Sequence, residues 1–261
     1  MHPDLGTVLG IAVPTHGVFV ALGVLAAVAV FVVEARRRGQ TDDRMVYVVL
    51  GALVGGAVFM RLGTWLRHLD LDRNASLAEQ WFYGNRSILS GLVGAWLGLH
   101  VAKRLVGYRL RTGDLFAPAV ALGMAVGRVG CLLTELPGTP THRDFGITLD
   151  PAAAERLHAP AGVALHPSFA YEIAFHAVAF IVLWCWLRYR LQAPGETLTL
   201  YLAGYGMFRF LVEFVRGNEV VWHGLTRPQL FLLFTVPLLL ARIAWQARQG
   251  VYRTALVEAS P

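Results

Sequence analysis

Three arginines lie inside long apolar segments of this sequence: Arg61, Arg128 and Arg209. Charged side chains are costly in such segments and usually face the interior of a helix bundle. A guanidinium group presents a planar fork of donors that suits the oxygens of a phosphate. These arginines predict a site that holds the headgroup of an anionic phospholipid within the bilayer.

Three acids accompany the arginines along the chain. Glu213 follows Arg209 by four residues, so the two share a helix face. Glu135 ends an apolar block and Glu172 opens another. One interpretation is a structural ion pair that fixes one helix against its neighbours. The other is a headgroup site, in which a bound phosphate displaces a carboxylate or accepts a second set of donors.

Two local segments add detail to these interpretations. Arg128 stands between Gly127 and Gly130, and glycine serves both ligand approach and tight helix packing. The segment His166–Glu172 opens a helix, with a proline suited to the first turn. Glu172 could therefore simply complement the helix dipole, and His166 could be a capping residue or a group that titrates near neutrality.

Seven apolar blocks must position these residues, and their length suits membrane-spanning helices. The blocks are Val18–Val33, Val46–Leu66, Ile88–Leu105, Leu115–Leu133, Phe169–Leu187, Leu198–Val215 and Leu230–Trp245. Hydrophobic residues make up 56% of the 261 residues and charged residues only 15%, against roughly 25% in soluble domains. The sequence thus predicts an all-α, polytopic membrane protein of about seven transmembrane helices.

The basic residues lie mainly in the loops between the blocks. Alternate loops carry 13 Lys and Arg residues on one side against 7 on the other. The positive-inside rule then predicts an outer N-terminus and a cytoplasmic C-terminus. The net charge of +6 could suggest nucleic acid, but no basic run in a soluble segment supports that partner.

We predict one transmembrane domain over residues 1–247, with outer-side loops at 67–87 and 134–167. Residues 248–261 form a polar C-terminal tail. Cys131 and Cys185 fall inside apolar blocks, where packing is their ordinary use, and two cysteines alone do not make a metal site. No metal or cofactor is expected.

Four ordered segments together resemble the prolipoprotein diacylglyceryl transferase family. They are Gly127–Gly130, Glu135–Gly138, His166–Glu172 and Tyr205–Arg216, and their order and spacing run along nearly the whole chain. The resemblance implies transfer of a diacylglyceryl group from phosphatidylglycerol to the lipobox cysteine thiol of a bacterial prolipoprotein. It also implies a multi-pass protein of the bacterial inner membrane, with the reaction at its outer side.

The resemblance carries site roles onto individual residues. Arg128 matches the family's lipid-phosphate arginine and Arg209 its second essential arginine, and Glu135 and Glu213 match supporting acids. Tyr205 and Gly138 match further site positions. We also predict that Arg61 and Glu172 help to bind the lipid headgroup, and that His166 is a catalytic residue.

This sequence departs from the family pattern at three positions. Leu89 stands where the family has the histidine of a His-Gly-Gly segment, a proposed base. Cys131 replaces an asparagine, and His16 replaces a tyrosine. His16 and His166 are candidate substitutes for the base, and Cys131 is a candidate nucleophile.

Two rival functions stay open. A non-catalytic homologue that binds phospholipid is favoured by Leu89. A small-anion transporter would also hold buried arginines, but it predicts internal repeats or paired broken helices, and the sequence shows neither.

Overall fold

A computed structural model of the chain describes residues 4–8, 11–65, 87–191 and 193–254. The contacts divide it into two compact units: the first is Met1–Arg38 with Arg111–Pro261, and the second is Gly39–Leu110. The single transmembrane domain predicted over residues 1–247 stays a prediction. The predicted outer-side loop at 67–87 lies outside the described residues except for Ser87, and so do residues 255–261 of the tail.

The described part of the first unit contains five long helices. They are α1 (Thr15–Arg37), α4 (Gly113–Thr134), α6 (Ser168–Arg190, with a π-helical segment at Val182–Leu187), α7 (Glu196–Val212, followed by a 3-10 turn at Glu213–Val215) and α8 (Arg227–Arg248). Each extends the predicted apolar block at one or both ends, because the polar residues that flank the block also take helical conformation.

The second unit is built on α2 (Arg44–Trp65) and α3 (Ile88–Leu105). The two helices pack closely, and a side chain at Gly55 would collide with the backbone of Gly94. Small residues permit such close approach in membrane helix pairs.

Six helices among the described residues are long and apolar enough to cross a membrane: α1, α2, α4, α6, α7 and α8. The remaining predicted block, Ile88–Leu105, does form a helix, α3, but this helix is not one of the six. Lys103 and Arg104 occupy its last turn and shorten its apolar stretch. The chain is therefore a mostly helical, polytopic membrane protein, and the count of seven stays a prediction.

Short strands join several helices, and the sequence interpretation had missed them. They form three two-stranded antiparallel pairs, β1 (Asp4–Val8) with β2 (Ile11–Pro14), β3 (Ile147–Thr148) with β4 (Ala164–Leu165), and β5 (Val220–Trp222) with β6 (Leu225–Thr226). These strands are two to five residues long, so they leave no periodic pattern in the sequence. Two short helices, α5 (Pro151–Arg156) and α9 (Val251–Thr254), complete the described chain.

Helices α1 and α4 run antiparallel, as contacts at both ends require. His16 at the start of α1 lies 3.5 Å from Glu135 at the end of α4. Arg38, just after α1, lies 3.6 Å from Asp114 at the start of α4. Helix α6 packs against α4, and α7 packs against both α4 and α8. The end of α4, the start of α6 and the end of α7 therefore meet at one end of this unit.

The opposite end of the same unit holds a separate buried ion cluster. Glu34 of α1 is fully buried and contacts Arg37, Arg38 and Arg188. Three basic residues thus surround one carboxylate far along α1 from His16. This cluster provides a comparison for the site at the other end.

Candidate functional site

Three helices of the first unit bring buried charges together. Arg128 lies in the last part of α4, Glu172 near the start of α6, and Arg209 in the last turn of α7. Arg128 and Arg209 are 4% and 6% exposed, and Glu172 is fully buried. The helix ends that meet here thus carry two of the predicted arginines and one predicted acid.

Glu172 is the common partner of the guanidinium groups. Its Oε2 forms a close ion pair with Nη2 of Arg128, and its Oε1 accepts a hydrogen bond from Nη1 of Arg216 at 2.8 Å. Nε of Arg209 lies 4.0 Å from the same Oε1. A carboxylate with three cationic neighbours does more than complement a helix dipole, so its structural role is to hold the three arginines near one point.

The second carboxylate, Glu213, anchors Arg209 from the other side. The Oε2 atom of Glu213 forms a close ion pair with Arg209. The Oε1 atom of Glu213 accepts hydrogen bonds from the Asn218 amide at 2.6 Å and from the Thr226 hydroxyl at 2.8 Å. Thr226 also caps α8 through a capping box. Both oxygens of Glu213 are therefore occupied by protein donors.

The cluster holds more arginines than directly paired carboxylates. Three guanidinium groups face the carboxylates of Glu172 and Glu213, and the negative charge of Glu135 also acts on Arg216. The Nε groups of Arg128 and Arg216 are buried and have no hydrogen-bond partner among the described residues. Burial lowers the pKa of Arg216, an effect that the Glu172 carboxylate opposes. Buried guanidinium donors without partners favour an anion.

Aromatic rings surround the charges. The Phe169 ring centroid lies 4.3 Å from the Arg216 guanidinium and 5.7 Å from that of Arg128. Tyr205 is 2% exposed, and its hydroxyl lies beside Arg128 without a well-aligned hydrogen bond. His176 packs against the Tyr205 ring at 4.6 Å. Tyr205 thus lies next to Arg128, a predicted phosphate ligand.

Gly138 has a packing role that the structure makes explicit. A Cβ atom there would collide with the Val215 carbonyl oxygen and lie 2.7 Å from the His166 carbonyl oxygen. Thr139 donates its backbone N–H to the same Val215 oxygen, and His166 donates its own to the Thr139 oxygen. Glycine therefore lets the segment after α4 pass between α6 and the residues that precede Arg216.

His166 belongs to different surroundings from the arginines. Its Nδ1 lies 3.2 Å from the Tyr171 hydroxyl. Its side chain lines a cavity of about 510 Å³, and the other lining residues are Pro140, Thr141, His142, Arg143 and Phe145. None of these residues belongs to the arginine cluster. A catalytic role for His166 stays a prediction.

Glu135 contacts a histidine, and its negative charge also acts on Arg216. Its Oε1 lies 3.5 Å from His16 Nδ1, and the Cys131 sulfur lies 3.9 Å from the same nitrogen. Arg128 Nη1 is 3.8 Å from that sulfur. Among the described residues, His16, Cys131 and Glu135 form the group that could hold a metal ion, since their ligand atoms lie within 4.8 Å of one another.

Arg61 lies on α2 in the second unit and is partly buried. Its assignment to the headgroup stays a prediction.

The third guanidinium of the cluster on Glu172 is Arg216, which the sequence interpretation left without a role. Arg216 lies seven residues after Arg209, a spacing that returns to the same helix face, and that spacing was the available signal. Asn218 and Thr226 were missed because nothing local marks them as partners of Glu213.

Comparison with known proteins decides the family. The sequence model described as prolipoprotein diacylglyceryl transferase matches residues 3–245. This chain belongs to the prolipoprotein diacylglyceryl transferase family. The resemblance that the four segments indicated is thereby confirmed.

Individual members of the prolipoprotein diacylglyceryl transferase family are similar over most of their length. The phosphatidylglycerol–prolipoprotein diacylglyceryl transferase of Clostridium tetani is 29% identical over 84% of this chain and 86% of its own. The protein of the same name from Dehalococcoides mccartyi is 29% identical over 94% and 95%. That of Chromohalobacter salexigens is 34% identical over 80% and 77%. The buried arginine cluster thus belongs to a diacylglyceryl transferase scaffold.

Proposed function

We propose that this protein transfers the diacylglyceryl group of phosphatidylglycerol to the thiol of a lipobox cysteine in a prolipoprotein. The observation that carries the proposal is the group of three arginines around Glu172, in which the Nε groups of Arg128 and Arg216 are buried without a hydrogen-bond partner among the described residues. The relatives named above support the choice of donor lipid and acceptor.

The bond changes in this reaction place charge where the arginines lie. The acceptor thiolate attacks the glycerol carbon that bears the phosphate ester, a carbon–sulfur bond forms, and the carbon–oxygen bond breaks. The electron pair of the broken bond stays on the leaving glycerol phosphate, which gains a second negative charge. Guanidinium groups aimed at that phosphate stabilise the transition state more than the monoanionic donor.

Each predicted site residue then has a proposed role. Arg128 and Arg209 hold the phosphate oxygens, and Arg216 joins them. Glu172 keeps the three guanidinium groups together, and Glu213 orients Arg209. The hydroxyl of Tyr205, beside Arg128, is available to the same phosphate. Glu135 and His166 are the proton-handling candidates, and a headgroup contact for Arg61 stays a prediction.

The membrane arrangement is part of the proposal. The ends of α1, α4 and α6 away from the arginine cluster lie at or next to the basic residues Arg36, Arg37, Arg111, Arg188 and Arg190. By the positive-inside rule that end is cytoplasmic, so the arginine cluster faces the outer half of the bacterial inner membrane. Seven spans, with α3 included, then give an outer N-terminus and a cytoplasmic C-terminus.

The test uses the full chain in lipid nanodiscs with phosphatidylglycerol and a lipobox peptide. We expect mass spectrometry to find the diacylglyceryl thioether on the peptide, and we expect none on a control peptide with serine in place of cysteine. Arg128→Ala and Arg209→Ala should each remove the product while the protein still inserts in the membrane. Full activity in either variant contradicts the assigned roles.

One rival function has a specific observation in its favour. Leu89 on α3 stands at the position of the family's histidine, and leucine cannot exchange a proton. A non-catalytic homologue would bind phosphatidylglycerol and yield no thioether product in the same assay. Bound lipid without product would select this rival.

A further inference from the structure

Three side chains beside the arginine cluster have a ligand chemistry that the proposed reaction does not use. His16 lies in the first turn of α1, Cys131 in the last turn of α4, and Glu135 directly after α4. Cys131 and Glu135 are four residues apart and share a face. Gly130 allows α1 to approach that face, because a Cβ atom there would lie 3.1 Å from His16 Cα.

The distances between the ligand atoms approach those of a tetrahedral metal site. His16 Nδ1 lies 3.5 Å from Glu135 Oε1 and 3.9 Å from the Cys131 sulfur. Ideal zinc bond lengths place nitrogen and oxygen about 3.3 Å apart and sulfur and nitrogen about 3.5 Å apart. Shifts of a few tenths of an ångström would close the site. Rotation of the side chains at the start of α1 and the end of α4 is enough to produce such shifts.

The ligand set identifies the class of ion. A thiolate, an imidazole and a carboxylate together suit a borderline divalent cation such as zinc better than magnesium or calcium, which prefer oxygen. Three protein ligands leave one tetrahedral position open, as in zinc sites that act on a substrate. Cys131 is buried, while the side chains of His16 and Glu135 are 33% and 43% exposed, so one side of the group is open.

The neighbouring arginine is compatible with a cation here. Arg128 forms a close ion pair with Glu172, so its guanidinium group already has a carboxylate partner. Its Nη1 lies 3.8 Å from the Cys131 sulfur and can donate to it, as outer hydrogen bonds to metal-bound thiolates do. The thiolate and the carboxylate together neutralise a divalent ion.

We propose that His16, Cys131 and Glu135 bind one zinc-class divalent cation whose fourth position receives the acceptor thiol. The role in thiol activation rests on the proposed transferase function. A thiol that binds to such an ion loses its proton to solvent and becomes the nucleophile that the transfer needs. This arrangement supplies thiol ionisation in a chain that has Leu89 at the family's histidine position. It also places the sulfur next to Arg128, which holds the phosphate of the donor.

The binding test uses the full-length protein in detergent, first treated with a chelator and then titrated with zinc chloride by calorimetry. We expect a single site per chain that binds zinc at least about 100-fold more weakly in Cys131→Ser and in His16→Tyr. Cys185→Ser is the matched control, because Cys185 is an exposed cysteine on α6, and it should bind zinc as the wild type does. Absence of binding in the wild type, or unchanged binding in Cys131→Ser, overturns the site.

Cobalt gives a readout that is independent of activity. The cobalt-loaded protein should show sulfur-to-cobalt charge-transfer absorption that disappears in Cys131→Ser and remains in Cys185→Ser. Addition of a lipobox peptide should increase this absorption because a second sulfur binds, and a peptide with serine in place of cysteine should leave it unchanged. An unchanged spectrum with the cysteine peptide overturns the role in thiol binding.

The transfer assay separates this inference from the proposed function. If the chelated protein forms the thioether at the full rate, zinc has no part in the reaction and the inference fails while the proposed function stands. If zinc and the peptide thiol bind but phosphatidylglycerol yields no product, the proposed function fails while the metal site stands. Loss of transfer on chelation and recovery with zinc supports both.

Discussion

Replacement of Glu172 by glutamine should separate the organising role of this carboxylate from its contribution to stability. The amide keeps the size of the side chain and one carbonyl acceptor, but it removes the negative charge. Glu172 forms a close pair with Arg128, accepts a hydrogen bond from Arg216 at 2.8 Å and lies 4.0 Å from Arg209. In the variant these three guanidinium groups keep only Glu213 as a buried counter-charge.

The expected cost follows from the lost contacts. A hydrogen bond to a charged group contributes about 1.5–3 kcal/mol, and breaking a buried ion pair costs about 3–5 kcal/mol. We therefore expect Glu172→Gln to lower the free energy of unfolding by about 3 kcal/mol. Misplacement of the guanidinium groups should lower the transfer rate by about 100-fold, the effect of losing one donor to a developing charge.

The matched control lies at the opposite end of the same unit. Glu34 is also fully buried and also contacts three arginines, at 2.5 Å for Arg37, 2.8 Å for Arg38 and 3.4 Å for Arg188. Glu34→Gln should therefore cost a comparable amount of stability and leave the transfer rate per folded molecule unchanged. Thermal unfolding in detergent and initial rates of thioether formation measure the two quantities. Equal rate losses in both variants would refute the reasoning, because stability alone would then explain the effect.

Three further substitutions have definite expected results. Arg209→Lys keeps the charge but loses the planar fork, so the transfer rate should fall by at least about 100-fold, and a wild-type rate contradicts its contact with phosphate. Thr226→Val removes the hydroxyl that binds Glu213 and caps α8, so thermal unfolding should show a loss of about 1–2 kcal/mol. Gly138→Ala should lower both the melting temperature and the rate because its Cβ collides with two carbonyl oxygens, whereas Gly204→Ala, which has open space, should change neither.

The sequence was informative wherever the chemistry is local. Intramembrane charge marked Arg128 and Arg209, and the four-residue spacing marked Glu213 as the partner of Arg209, which the structure confirms. The helix boundaries followed from the apolar blocks. These features depend on neighbours along one helix, so periodicity and cost in lipid suffice to find them.

Contacts between helices were beyond the reach of the sequence. Glu172 could equally have served a helix dipole, and only the crossing of α4, α6 and α7 makes it the common partner of Arg128 and Arg216. Glu135 was expected to support an arginine, and its negative charge acts on Arg216, but the sequence did not reveal that the approach of α1 at Gly130 also brings it to His16. Such pairings depend on the rotation of each helix about its axis, which a single sequence does not specify.

The most direct test is a solid-state NMR measurement of dipolar coupling between isotope-labelled arginine side-chain nitrogens and the phosphorus of phosphatidylglycerol. The protein would be reconstituted in a bilayer that contains this lipid as its only phosphate source. We predict strong coupling in the wild type and its loss in a double variant, Arg128→Lys with Arg209→Lys. The same coupling in wild type and variant would contradict the claim that these two guanidinium groups hold the donor phosphate.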